Sequence, residues 1–348
     1  MDHTEISLFL ATLFIQDSKG SGDRMLKNRF RYIVKGLIAI VIFGLVFCFI
    51  QPFFIPKFIK NNAETTVLVN SYSQLEKNSI DILFLGSSQM FRTVDSARLN
   101  DIYHLNACNY GASGQSMSIT PYYFDEALKS QSPKLIMVEV GCIFEKNSDL
   151  SSTEIAWNYA PTPITDEKLE SLENILGSDL LAYEHTFLPL FIYHDRWRIM
   201  GEQDKEETKF DIDYVFNPDK YNNLYPYGFV DSEKVEKVNY EFNNTNTSLQ
   251  EIPEESKAAI KYLSEECSKR KIKLLFFKSP APFWTKGECE SVKKHLGEQK
   301  LDYIDLNEHY VEISLNDSTD FSDEQHLNTF GAKKTTDYLA KVIPSYLV

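Results

Sequence analysis

Ser88 closes the run Ile82-Leu83-Phe84-Leu85-Gly86-Ser87-Ser88, and Asp323-Glu324-Gln325-His326 lies near the other end of the 348-residue chain. A serine hydroxyl is a poor nucleophile until a base takes its proton, and a histidine oriented by a carboxylate supplies that base. Asp323 and His326 are three residues apart, so both can project from one loop or helical turn toward Ser88. Ser87 would be the nucleophile instead if the turn were offset by one residue. Between the two sites lies Asn109-Tyr110-Gly111-Ala112-Ser113-Gly114. Glycines there let the backbone approach a substrate and aim an N–H at a developing oxyanion.

These groups need a scaffold that brings them to one edge. A short apolar run ending in Gly-Ser-Ser reads as a buried parallel strand that stops at a sharp turn. The carboxyl edge of such a sheet is where an α/β protein carries its reactive groups. Strand-like runs are Ile82 to Leu85, Leu105 to Asn109, Leu135 to Val140, Ile272 to Phe277 and Tyr303 to Leu306. Helix-like stretches alternate with them, the pattern of a parallel sheet covered on both faces. Pro253 opens one helix, with Glu254 and Glu255 at its positive end and an apolar stripe of Ala259, Ile260, Leu263 and Cys267. Thr329 to Ile343 reads as the closing helix. From about residue 145 to 250 the alternation fails, and Trp157, Tyr159, Pro161, Pro163, Trp197, Tyr214, Tyr225 and Tyr227 crowd the segment. An insertion that long predicts a cap or binding surface.

Residues 32–55 form a third feature. Leu37 to Ile50 is apolar throughout apart from Gly44, and with its margins the segment reaches the ~20 residues that cross a bilayer. Gln51-Pro52-Phe53-Phe54-Ile55-Pro56 carries no small-x-small cleavage site, so the segment reads as an anchor and not as a signal peptide. Lys27, Arg29, Arg31 and Lys35 precede or enter it, and only Lys57 and Lys60 closely follow. That bias predicts a cytoplasmic segment 1–31, a transmembrane helix 32–55 and an extracytoplasmic domain 56–348. Met25 directly precedes the basic flank and is a candidate second start of translation.

The net charge of −14 argues against a nucleic-acid partner, which would need a basic stripe. Cys48, Cys108, Cys142, Cys267 and Cys289 show no metal-ligand spacing, and neither a metal nor another cofactor is implied. The 24 Phe and 19 Tyr suit either a carbohydrate-facing surface or an aromatic core. His194, Arg196 and Trp197 are candidate substrate contacts, since an arginine beside a tryptophan can hold a phosphate or a sugar; the other reading is a salt-bridged helix face. Lys278 ends a strand on the active edge, where it would meet an anionic polymer or stand solvated.

The Gly86-Ser87-Ser88 turn, the glycine loop after the second strand and the carboxyl-terminal Asp323 and His326 together resemble the SGNH (GDSL-type) hydrolase superfamily, over residues 80–145 and 270–345. The resemblance implies a flavodoxin-like three-layer α/β/α domain. It implies Ser88 as nucleophile, Asp323 and His326 as the rest of a triad, and the N–H groups of Ser88 and Gly114 as oxyanion donors. The usual Gly-Asp-Ser is here Gly-Ser-Ser, similar to the DltD-like branch of membrane-anchored proteins in teichoic-acid D-alanylation. The third block, normally Gly-x-Asn-Asp, reads Gly141-Cys142-Ile143-Phe144 and lacks the oxyanion asparagine. The resemblance therefore points to an extracytoplasmic O-acyltransferase that moves an acetyl or D-alanyl group onto an envelope polysaccharide or teichoic acid. Its partner would be a multi-pass membrane O-acyltransferase. A deacylating esterase of the same polymers and a non-catalytic envelope scaffold are the alternatives.

Overall fold

The computed structural model describes residues 22–54, 64–177, 190, 226–240 and 246–347. The chain forms two compact units, Met1–Pro52 and Phe53–Val348.

Among the described residues the amino-terminal unit holds the helix Gly22–Phe54. Its stretch Arg29–Gln51 has a mean hydropathy of 2.8 and is not buried by the rest of the protein. At 1.5 Å per residue, 23 residues extend about 35 Å, more than the ~30 Å hydrocarbon core of a bilayer. Ile33, Leu37, Ile40, Phe43 and Leu45 all stand exposed around it. The helix is long and apolar enough to cross a membrane. It starts ten residues before Tyr32 because Asp23 to Arg31 contains neither proline nor an internal glycine to stop it.

The larger unit is a five-stranded parallel sheet with helices on both faces. Its strands are β1 (Ile82–Gly86), β2 (Ala107–Gly111), β3 (Leu135–Glu139), β4 (Lys273–Lys278) and β5 (Asp302–Asp305). They lie in the order β2-β1-β3-β4-β5, all parallel. β1 and β3 are buried along their whole length, which is why Ile82–Leu85 and Leu135–Val138 read as unbroken apolar runs. Leu83 and Leu85 point into one core with Tyr122, Tyr123, Ile260 and Leu263. Ile82 and Phe84 point into the other with Met90, Leu99 and Leu339. The helices Glu254–Arg270 and Thr329–Val342 lie close to their expected bounds.

Two strand offsets have local causes. β2 begins two residues after Leu105 because Leu105 N–H returns to Leu99 O, completing the end of the Ser96–Tyr103 helix. Asn100 then brackets Ala107, donating to its carbonyl at 3.0 Å and accepting from its N–H at 2.6 Å. β4 runs one residue past Phe277, which draws Lys278 into the sheet opposite Asp305.

Part of the insertion is core and not cap. Ser151 and Glu154 form a capping box that starts the helix Ser152–Tyr159, and Thr165 caps Asp166–Leu176. Tyr159, expected on a binding surface, is fully buried with its ring centroid 5.2 Å from that of Tyr122. Trp197, Tyr214 and Tyr225 lie outside the described residues.

The chain leaves β1 toward β2 on one side and returns to β3 on the other, so the crevice at the carboxyl ends of β1 and β3 is the topological switch point. Gly86 sits at its floor with φ +148°, and a Cβ there would lie 2.8 Å from Cβ of Glu139. Both the left-handed backbone and the close approach demand glycine. Gly86→Ala should lower unfolding stability by at least about 1–3 kcal/mol. Denaturant unfolding of the detergent-solubilised chain checks this, and an unchanged midpoint would show that the turn relaxes freely.

Candidate active site

Ser88 begins the six-residue helix Ser88–Thr93 directly after β1. Ser87 is its cap, 2% exposed, with its hydroxyl accepting from Gln89 N–H. That occupation turns Ser87 inward and leaves Ser88 at the crevice. Gly86 pairs with Gly111 across β1 and β2, so the turn that follows β2, ending in Gly114 at φ +62°, starts beside the serine turn. Among the described residues no acceptor meets the N–H of Ser88 or of Gly114.

Asp323 and His326 come from a loop that organises itself. Phe321 and Leu327 form an antiparallel bridge, and Ser322 N–H donates to His326 O at 2.9 Å. Asn328 caps the Thr329–Val342 helix through its side-chain oxygen and ties its amide to the carbonyls of Thr319 and Phe321. Inside this frame Asp323 Oδ1 accepts from the N–H groups of Gln325 (2.8 Å) and His326 (2.9 Å), a turn in which aspartate replaces a backbone acceptor. His326 Nδ1 lies 2.9 Å and 3.0 Å from the two carboxylate oxygens, and Nε2 lies 2.8 Å from Ser88 Oγ.

The tautomer follows from the partners. A carboxylate can only accept, so Nδ1 carries the proton and Nε2 is free to take the one on Ser88. Partial burial works against the Asp323 charge, but His326 and the two backbone N–H groups outweigh it and hold the carboxyl down at about 2. Asp323 is therefore ionised at any pH near neutrality.

The same Asp-x-x-His spacing recurs at Asp101–His104. There His104 is the left-handed cap of a helix that precedes β2, at the opposite edge of the sheet from Ser88. Spacing alone does not separate the two pairs; their position relative to the strand ends does.

Neither a family model nor a curated protein sequence matches the chain. The geometry therefore stands by itself. Among the described residues no cluster of His, Cys, Asp and Glu is arranged to hold a metal.

Lys278 ends β4 as expected, but it neither faces a polymer nor stands solvated. It is wholly buried and ion-paired with Glu139, 3.1 Å away and equally buried, so it cannot meet a polymer. Its ammonium also donates to Gln89 Oε1 and to Ser279 O. His194, Arg196 and Trp197 lie outside the described residues.

The site also contains groups that motif reasoning missed. Gln89, Glu139 and Ser279 join Lys278 below the crevice. Glu145 is half-buried, and burial pushes its carboxyl up to about 7 while a hydrogen bond with Cys142 acts the other way. The available signal was a carboxylate and an ammonium, Glu139 and Lys278, each at the end of an otherwise apolar strand, where a charge needs a partner.

The depressed Asp323 carboxyl has a signed consequence. Its contribution to stability is complete above the ordinary aspartate value of 3.8 and is lost as pH falls through about 2. The stability gap between wild type and Asp323→Asn should hence close as pH falls between about pH 4 and pH 2. Unfolding midpoints measured across that range check it; a gap that persists undiminished to pH 2 would contradict the ion-paired assignment.

Proposed function

We propose that this chain is a membrane-anchored serine O-acyltransferase of a cell envelope, with a flavodoxin-like SGNH domain on the extracytoplasmic side. The observation that carries the reading is the continuous line from the Asp323 carboxylate through His326 to Ser88 Oγ, with 2.8 Å between Ser88 Oγ and Nε2. The β2-β1-β3-β4-β5 order supports the fold assignment, since this is the flavodoxin-like order with its site at the β1/β3 switch point. The apolar helix preceded by Lys27, Arg29 and Arg31 supports the anchor and its orientation.

In this reading Ser88 Oγ attacks the carbonyl of an acyl donor while His326 Nε2 takes its proton. Asp323 keeps the imidazole in the productive tautomer and stabilises the imidazolium. The tetrahedral oxyanion is met by the N–H groups of Ser88 and Gly114. Collapse expels the leaving group with the proton from His326 and leaves an ester on Ser88. A hydroxyl of an envelope polysaccharide or teichoic acid, deprotonated by His326, then takes the acyl group and restores the serine. The donor side would be served by a multi-pass membrane O-acyltransferase, and tethering both proteins in one bilayer raises their effective concentration.

Ser88→Ala and His326→Ala should each lower acyl transfer by at least about 10⁴-fold without loss of folding, because triad members act as a unit. Asp323→Asn should cost as much or less. A serine-directed phosphonate should add a single label to the wild type, mapped to Ser88, whereas a fully active Ser88→Ala protein would sink the catalytic reading and leave the scaffold. For orientation, a reporter active only outside the membrane, fused after Val348, should be active; a stable but inactive fusion would reverse the topology.

A further inference from the structure

Gln89 follows Ser88 directly and is 6% exposed. Its side chain reaches the carboxyl ends of β3 and β4, where Lys278 Nζ donates to Oε1. An ammonium has only hydrogens to offer, so the atom facing it is the amide oxygen and the NH₂ group points away. Lys278 is itself fixed, donating to Glu139 Oε1 at 3.1 Å and Ser279 O at 3.0 Å. Glu139 is held by the N–H groups of Gly141 (2.8 Å) and Ser279 (3.1 Å). Ser279 Oγ closes the ring by donating to Gln89 O at 3.1 Å.

Gly141 makes room for this amide. A Cβ on it would lie 2.5 Å from Gln89 Oε1. Among the described residues no acceptor meets Gln89 Nε2. The sealed polar side-chain atoms without a partner among the described residues are Asn109 Oδ1, Tyr122 OH, Asn158 Oδ1 and Ser256 Oγ, so Nε2 is not sealed from solvent. An amide that is nearly buried, turned by a fixed cation and left with free hydrogens one residue past the nucleophile is a preorganised donor.

We propose that Gln89 Nε2 donates to the oxyanion formed when Ser88 attacks an acyl group, with Lys278 as the positioning residue that sets the amide's direction. The proposal rests on the serine acyl-transfer reading. It supplies a side-chain donor to a site whose Gly141–Phe144 block carries no asparagine.

The test uses the full chain in detergent, p-nitrophenyl acetate as acyl donor, and an aryl trifluoromethyl ketone, which forms a tetrahedral adduct with an active serine. Gln89→Glu keeps the Lys278 contact and removes both N–H donors; Gln89→Met removes the amide with little change of shape. Each should slow acylation of Ser88 by about 10²–10³-fold with KM little changed, and weaken the ketone by the same factor. A group that merely packs would not shift the ketone in parallel with kcat. Lys278→Met should slow acylation in the same way, and Gln89→Met/Lys278→Met should be no slower than Gln89→Met alone, since the lysine acts through the amide. Folded Gln89 variants with wild-type acylation and ketone binding would overturn the proposal while leaving the triad intact. A wild type that takes no acyl group at Ser88 would overturn the acyl-transfer reading, and this inference with it.

Discussion

Two opposite charges at the carboxyl ends of β3 and β4, Glu139 and Lys278, lie entirely out of water and face each other at 3.1 Å. Removing either ion from solvent costs several kcal/mol, and the attraction between them offsets that cost only if their remaining hydrogen-bonding capacity is met. Here it is met by Gln89, Ser279 and the N–H of Gly141, which belong to the turns after β1, β4 and β3. The pair therefore ties three strand ends to one another. Loss of one partner would leave a buried charge alone, at about 3–5 kcal/mol.

Against that rigid floor, the Asp323–His326 loop is assembled locally. Its internal hydrogen bonds run between residues no more than five apart, and Asn328 binds it to the start of the closing helix. Contacts from residues 226–240 then hold it from outside, with Glu236 N–H on Phe321 O and Thr329 N–H on Ser232 O. The candidate site thus joins a deep, ion-paired floor to a surface loop through the hydrogen bond between Ser88 and His326. Catalytic precision in such a site depends on how well both supports are immobilised before substrate arrives.

The acidic surface and the apolar helix serve different ends. The chain's net charge of −14 repels anionic partners at long range, so recognition of an anionic polymer would fall to local groups. Lys278 is not among those groups, because its charge is spent internally. Glu145, with its carboxyl pushed up to about 7, carries a proton at neutral pH more readily than an ordinary glutamate does.

Periodicity and punctuation were sufficient to read the strands, their parallel class, the closing helix and the apolar helix, because each is a local signal repeated over several residues. The capping residues Ser151, Glu154 and Thr165 were passed over, and the density of aromatics around them suggested a surface where packing made a core: Tyr159 and Tyr122 bury each other only once two distant helices meet. Ser88, Asp323 and His326 could be named from residue type and their places at strand ends. Sequence could not decide between Ser87 and Ser88, since that depends on which hydroxyl the helix start consumes. Nor could it place Lys278, because a lysine at a strand end is solvated or buried according to what stands opposite, and Glu139 stands opposite only through the β3–β4 pairing. What the chain determined by itself was the set of elements and the chemistry they carry. Tertiary structure alone decided which charges lose their water and which side chains they then orient, because desolvation is a property of the packed neighbourhood and not of any segment.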